Sequence, residues 1–99
     1  MDRAQVIEII NAARQKGEEI NLIRANLQGV DLSELDLQGA DLSEANLVDA
    51  NLSYANLSWG CIREANLTRA NLHGADLRGT NRYGVILTGA TMPDGSVHE

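Results

Sequence analysis

Apolar residues recur at every fifth position along most of the chain. Between residues 20 and 92, twelve of the chain's thirteen leucines share one position of a five-residue repeat. Every alanine of this region stands two residues before such a position, and asparagine or aspartate usually separates the two. The repeat reads Ala-(Asn/Asp)-Leu-X-X, and its central residues are Leu22, Leu27, Leu32, Leu37, Leu42, Leu47, Leu52, Leu57, Ile62, Leu67, Leu72, Leu77, Arg82, Leu87 and Met92.

A period of five fits neither an α-helix nor a flat strand. On a helix, successive leucines would be rotated by about 140° and would scatter around the axis. In a flat strand an odd period sends every second leucine to the opposite face. A bend in each repeat solves the problem, because alanine and leucine then face a common axis. The pattern therefore predicts an all-β solenoid whose coils hydrogen-bond as parallel strands about 4.8 Å apart.

The asparagine and aspartate positions have a structural explanation of their own. Their side chains bond readily to nearby backbone groups and tolerate bent conformations. We therefore expect them to satisfy amides that the bends leave unpaired.

The first residues have the signals of a helix that covers the N-terminal end of the solenoid. Asp2 and Gln5 have the spacing of a capping box, and Gly17 is placed as a terminator. Apolar residues at helical spacing favour a helix over residues 3–16 that docks on the first coil. The alternative of a membrane-surface anchor is weaker, because the segment has few basic residues. The predicted organisation is a cap and linker over 1–19, the solenoid over 20–92 and a tail over 93–99.

Two aromatic residues stand at outward positions of the repeat. If a coil has twenty residues, Trp59 lies between Gly39 and Gly79, and Tyr54 lies between Glu34 and Gly74. One interpretation is a protein-contact surface formed by Tyr54 and Trp59. The other is that the rings simply cover glycine backbone above and below.

The tandem A(D/N)LXX motif across residues 20–92 resembles the pentapeptide-repeat family. This resemblance implies a right-handed quadrilateral parallel β-helix with four repeats per coil, here about 3.6 coils with a short N-terminal capping α-helix. Some members of that family bind type II topoisomerases, especially DNA gyrase, by imitating duplex DNA. Several members pair through their C-terminal coils, which would here place Val85, Leu87 and Met92 in a homodimer contact.

Arg82 occupies a leucine position of the last coil. A lone buried arginine is costly, so we expect that corner to be deformed and the guanidinium to reach solvent.

Charge and composition restrict the function. The net charge of −6 and a pI near 4.7 argue against a nucleic-acid binder with a basic patch. Aromatic residues make up 3%, so the core must rest on leucine and alanine. The single cysteine and the two distant histidines provide no metal or cofactor motif and no activated nucleophile. The sequence also has no signal-peptide or transmembrane pattern.

We expect a non-enzymatic, cytoplasmic interaction module with an unidentified protein partner, without nucleic-acid or membrane binding. The alternative is a DNA mimic that binds gyrase.

Overall fold

The five-residue repeat folds into a stack of four-sided coils with twenty residues each. The computed structural model describes all 99 residues, in a rod measuring 39 × 25 × 21 Å. Parallel bridges join each repeat to the repeat twenty residues further on, from Asn21↔Asp41 to Asn71↔Thr91. The coil of twenty residues that the resemblance implies is confirmed.

The four sides of the rod are numbered in chain order. Side 1 is centred on Leu22, Leu42, Ile62 and Arg82, and side 2 on Leu27, Leu47, Leu67 and Leu87. Side 3 is centred on Leu32, Leu52, Leu72 and Met92, and side 4 on Leu37, Leu57 and Leu77. The inward ladders exclude water almost completely through the middle of the rod, where Leu47 is fully buried between Leu27 and Leu67. This burial is the main stabilising contribution to the fold.

Each corner is a tight turn that begins at the central leucine. The leucine carbonyl accepts a hydrogen bond from the amide three residues on, as in Ala45 N–H to Leu42 O at 3.0 Å. The third residue of the turn has a positive φ, which is the pattern of a type II turn. Eight of these third residues are not glycine, among them Tyr54 at 58° and Trp59 at 61°. Each such residue costs about 1–2 kcal/mol relative to an ordinary backbone conformation.

The outward asparagines and aspartates satisfy the amide that each turn would leave unpaired. Asn46 Oδ1, for example, accepts the Val48 amide at 3.1 Å, and the same bond recurs in twelve repeats. This expectation is confirmed. Cys61 interrupts the column, because its thiol lies 3.1 Å from the Ser43 hydroxyl and the Arg63 amide has no such acceptor.

Pairing between coils is restricted to single-residue bridges centred on the asparagine or aspartate position. The reason is the turn, which redirects the chain directly after each leucine and prevents a longer ladder.

Helix α1, Arg3–Lys16, lies on the N-terminal end of the rod, as expected. Asp2 and Gln5 form the capping box, and Gly17 ends the helix in the left-handed conformation at φ 67°. Val6, Ile10 and Ala13 are buried in the same core as the leucine ladders. The only helix is thus a short cap, and no helix has the length and apolar character needed to span a membrane.

Two arginines of α1 complete the hydrogen bonding of the first coil. Arg3 Nη1 donates to the carbonyls of Asp31 and Ser33 at 3.0 and 3.1 Å on side 3. On side 4, Arg14 Nη2 donates to two equivalent carbonyls at 3.3 Å. Elsewhere in the rod these carbonyls accept amides of the preceding coil, so the guanidinium groups replace a missing coil.

The tail turns back on the last coil. Thr91 and Val97 form an antiparallel bridge, and the Gly89 amide donates to His98 O at 2.7 Å. The expectation of a deformed corner at Arg82 is wrong, because Gly84 has a φ of 70° and Val85 N–H bonds to Arg82 O as in other repeats. No further repeat stacks on Arg82 in this structure. Its side chain is therefore exposed at the end of the rod, and the backbone is not distorted.

Candidate functional site: the aromatic corners

Tyr54 occupies a corner between sides 3 and 4, and 59% of it is exposed. A Cβ added to Gly74, directly below in the next coil, would overlap the Tyr54 ring. The ring also meets His73 edge-on, with centroids 5.5 Å apart and an interplanar angle of 86°. The phenol is therefore held against the surface while much of it remains open to solvent.

Trp59 occupies the next corner, between sides 4 and 1. Its exposure is 70%, and its six-membered ring lies where a Cβ at Gly79 would stand. In contrast, nothing lies within 4 Å of the equivalent position at Gly39. The interpretation that the rings cover glycine therefore holds on one side only: Tyr54 lies over Gly74 and Trp59 over Gly79, but Trp59 does not lie over Gly39.

The direction in which the rings lean is a property of the corners. The aliphatic parts of Glu64 and Arg69 lie over Gly84 and Gly89 in the same sense, towards the C-terminal end. All four residues share a positive φ, and the common direction of their side chains was not apparent from the stacking register.

Uncharged polar groups lie between the two rings. Asn56 Oδ1 accepts the amide and the hydroxyl of Ser58, at 3.0 and 2.6 Å, and Ser58 is buried. The central coil thus presents two large rings on either side of a turn that these hydrogen bonds hold in place. Tyrosine and tryptophan are enriched at the centre of protein interfaces.

The candidate dimer-contact residues Val85, Leu87 and Met92 are half-buried and pack against the main core. The tail lies beside them, with the Met92 amide donating to Ser96 O at 2.7 Å. The folded-back tail therefore leaves less of these three side chains available for contact with a second copy.

The acidic groups of the rod are largely paired with arginines. Asp49 accepts two hydrogen bonds from Arg69, at 2.8 and 3.2 Å, and this contact lowers the pKa of its carboxyl group. Six ion pairs of this kind occur, all at the surface. The outer charge is consequently a set of local pairs spread over several sides.

The surface carries few features of a catalytic or metal site. No group of three or more His, Cys, Asp and Glu side chains lies close enough to hold a metal ion. A shallow cleft of about 210 Å³ lies where α1 meets the first coil, and it is lined by Ile9, Ala12, Ala13, Lys16, Glu18, Glu19 and Asn21. No nucleophile with an adjacent base lies in it.

The family model described as pentapeptide repeats matches this chain in eight copies, over residues 20–58, 31–69 and 62–92. No match was found among curated protein sequences.

Solved structures show the same architecture. The chain is 37% identical to HetL, a pentapeptide repeat protein involved in heterocyst differentiation regulation in the cyanobacterium Nostoc, with a TM-score of 0.51. It is 35% identical to AT2G44920, from the thylakoid lumen of Arabidopsis thaliana, with a TM-score of 0.71.

These matches cover 79% and 80% of this chain, but only 43% and 55% of the two relatives, so the chain spans about half their length. They imply that the coil winds as a right-handed quadrilateral β-helix. Proteins of this kind are generally non-catalytic repeat proteins. The chain belongs to the pentapeptide-repeat family.

Proposed function

We propose that the chain is a non-catalytic interaction module that binds a protein partner through the surface formed by Tyr54 and Trp59. The observation that carries this proposal is the exposure of two large rings at neighbouring corners of one coil. They are two of only three aromatic residues in the chain.

The physical argument rests on preorganisation. Each ring is already supported by a glycine of the next coil, so little side-chain entropy remains to be lost when a partner covers it. Tyrosine and tryptophan dominate the binding energy of many protein interfaces. An interaction centred on these corners therefore uses groups that the free protein holds in place.

The experiment compares the immobilised wild-type chain with three variants. Tyr54→Asn and Trp59→Asn remove the rings, and asparagine tolerates the positive φ of these corners. The matched control is Glu44→Asn, at another corner of the same coil with a φ of 59°. A partner retained from lysate of the source organism by the wild-type chain is then purified and titrated against all four forms.

We expect the ring variants to weaken binding at least ten-fold and the control to leave it unchanged. A purified partner that binds all forms equally would refute the aromatic surface. A ring variant with a lowered unfolding midpoint is compared at a temperature at which it is fully folded.

A second candidate is a mimic of duplex DNA that binds a type II topoisomerase such as DNA gyrase. The net charge of −6 on a rod 39 Å long favours it. The six arginine pairs weigh against it, because they divide the acidic groups instead of leaving one continuous stripe. A supercoiling assay with purified DNA gyrase tests it, since a mimic inhibits the enzyme and an unrelated module does not.

A further inference from the structure

The hydrogen bonds between coils have a net direction along the rod. In each repeat the amides of the central residue and of the corner residue donate towards the C-terminal end, as Leu47 and Asp49 donate to Asn66 and Thr68. Only the asparagine amide donates towards the N-terminal end, as Asn66 does to Ala45. Two peptide dipoles therefore point one way and one points the other.

The imbalance gives the whole rod a macrodipole. One net peptide dipole of roughly 3.5 D per repeat, summed over four sides, is comparable to an α-helix, whose ends carry about half an elementary charge. The sign is opposite to that of a helix. The C-terminal end of this rod is positive, and the N-terminal end, with its excess of carbonyls, is negative.

At the N-terminal end, positively charged side chains lie at the negative end of the macrodipole. Arg3 and Arg14 place guanidinium groups on the exposed carbonyls of sides 3 and 4, so cations cover the negative end.

The C-terminal end lacks the corresponding anionic cover on two sides. The tail satisfies the amides of Gly89 and Met92, on sides 2 and 3. On sides 4 and 1 the four outward amides donate no hydrogen bond within the protein, namely Leu77, Gly79, Arg82 and Gly84. The carbonyls of Ala75 and Thr80 on the same edge also accept none.

Side chains add to the positive character of this edge. Arg78 donates from Nε to Asp76 Oδ1 and from Nη2 to Asp76 Oδ2, so that pair is neutral. Arg82 is exposed and has no carboxylate within 4 Å. The edge of residues 75–84 is thus a positive region on a chain whose net charge is −6.

We propose that this edge is a docking site for an extended, acidic segment of a partner protein, which adds to sides 4 and 1 as a further strand. The strand would accept the Leu77 and Gly79 amides and donate to Ala75 O, which reproduces the bonds between coils. Its carboxylates would face Arg82 and the positive end of the dipole.

A second copy of the chain is the competing occupant, and the charges disfavour it. A two-fold contact would bring two positive ends together. An acidic segment does not meet this obstacle.

The probe is a synthetic peptide with the sequence of residues 31–45, which contains five acidic residues and no basic residue. Its matched control replaces every Asp with Asn and every Glu with Gln. Binding is followed by the amide resonances of the protein and by the fluorescence of Trp59, the single tryptophan, which lies on Gly79 at this edge.

We expect the acidic peptide to shift the amide resonances of Leu77, Gly79, Arg82 and Gly84, with at least ten-fold higher affinity than the neutral peptide. Arg82→Gln should weaken binding several-fold, whereas Arg24→Gln, near the opposite end of side 1, should not. Equal affinity for both peptides, or shifts elsewhere on the rod, would overturn the proposal. So would a free protein that is already a dimer with these four amides protected from exchange.

The inference rests on the proposed role in protein binding and concerns the open edge of residues 75–84, which the Trp59 ring borders at Gly79. The ring variants leave the amides of this edge in place. Failure of the peptide experiment therefore leaves the test of Tyr54 and Trp59 intact, and the reverse also holds.

Discussion

Replacing Gly79 with alanine should reveal how much the Trp59 ring contributes to stability. The new methyl group would stand where the ring now lies. Gly39 provides a matched control, because it occupies the same corner two coils earlier, has a φ of 74° against 67°, and has nothing within 4 Å of its added Cβ. The two substitutions share the backbone cost and differ only in the ring.

The magnitudes follow from the geometry. Both variants should lose about 1–2 kcal/mol, because alanine disfavours a left-handed conformation. The Trp59 side chain is 70% exposed, so its packing removes roughly 60 Å² from water, which is worth about 1.5 kcal/mol at most. We expect Gly79→Ala to cost up to that much more than Gly39→Ala, as the ring is pushed off its support.

Urea unfolding of a double-mutant cycle measures this difference. In the Trp59→Asn background no ring remains, so Gly79→Ala should cost the same as Gly39→Ala. Equal costs already in the wild-type background would show that the ring does not pack on Gly79 in solution, and would refute the reasoning.

Three further results are expected. Leu47→Ala should lower the free energy of unfolding by about 2–5 kcal/mol, and Ser53→Ala by about 0.5 kcal/mol at most; similar losses would contradict the inward register. Cys61→Asn should raise the free energy of unfolding by about 1 kcal/mol, because the new asparagine Oδ1 would accept a hydrogen bond from the Arg63 amide, which now has no acceptor. Cys61→Ala should bring no gain in denaturant unfolding. Hydrogen bonds from Ser or Arg partners lower the pKa of four aspartates below 3.8, so the stability they add at neutral pH should be lost as the pH falls through their folded pKa values; a denaturation midpoint that rises below pH 4 would contradict this for Asp31, Asp49, Asp76 and Asp94.

The sequence was sufficient for features set by local chemistry and by the period. The inward ladder around Leu47 follows from the repeat alone, because only one register buries the leucines. The capping box of Asp2 and Gln5 is equally local, and α1 begins and ends where its residues indicate. The twenty-residue coil needed the family resemblance, since a five-residue period does not determine the number of sides.

Features that depend on contacts between coils could not be predicted in this way. Gly60 occupies an alanine position of the motif, yet a Cβ there would lie 2.5 Å from the Ala40 carbonyl oxygen of the preceding coil. Two other features depend likewise on the neighbouring coil. Trp59 covers Gly79 but not Gly39, and the corner at Arg82 is regular because no further repeat stacks on it. The candidate surfaces can therefore be predicted only in part. The sequence indicates Tyr54 and Trp59, but it does not indicate the amides of sides 4 and 1 that have no hydrogen-bond acceptor.

The arginines of α1 combine both kinds of information. Arg3 and Arg14 are eleven residues apart, about three helical turns, so the sequence places them on one helix face. Their partners are carbonyls left free only because no coil precedes sides 3 and 4. Arg3→Met keeps most of the aliphatic length but removes both hydrogen bonds, so stability should fall by about 1 kcal/mol. Arg24→Met removes only an exposed ion pair with Glu44 and should cost less than about 0.5 kcal/mol. If denaturant unfolding showed equal losses for the two variants, the guanidinium groups would be ordinary surface charges and not replacements for a missing coil.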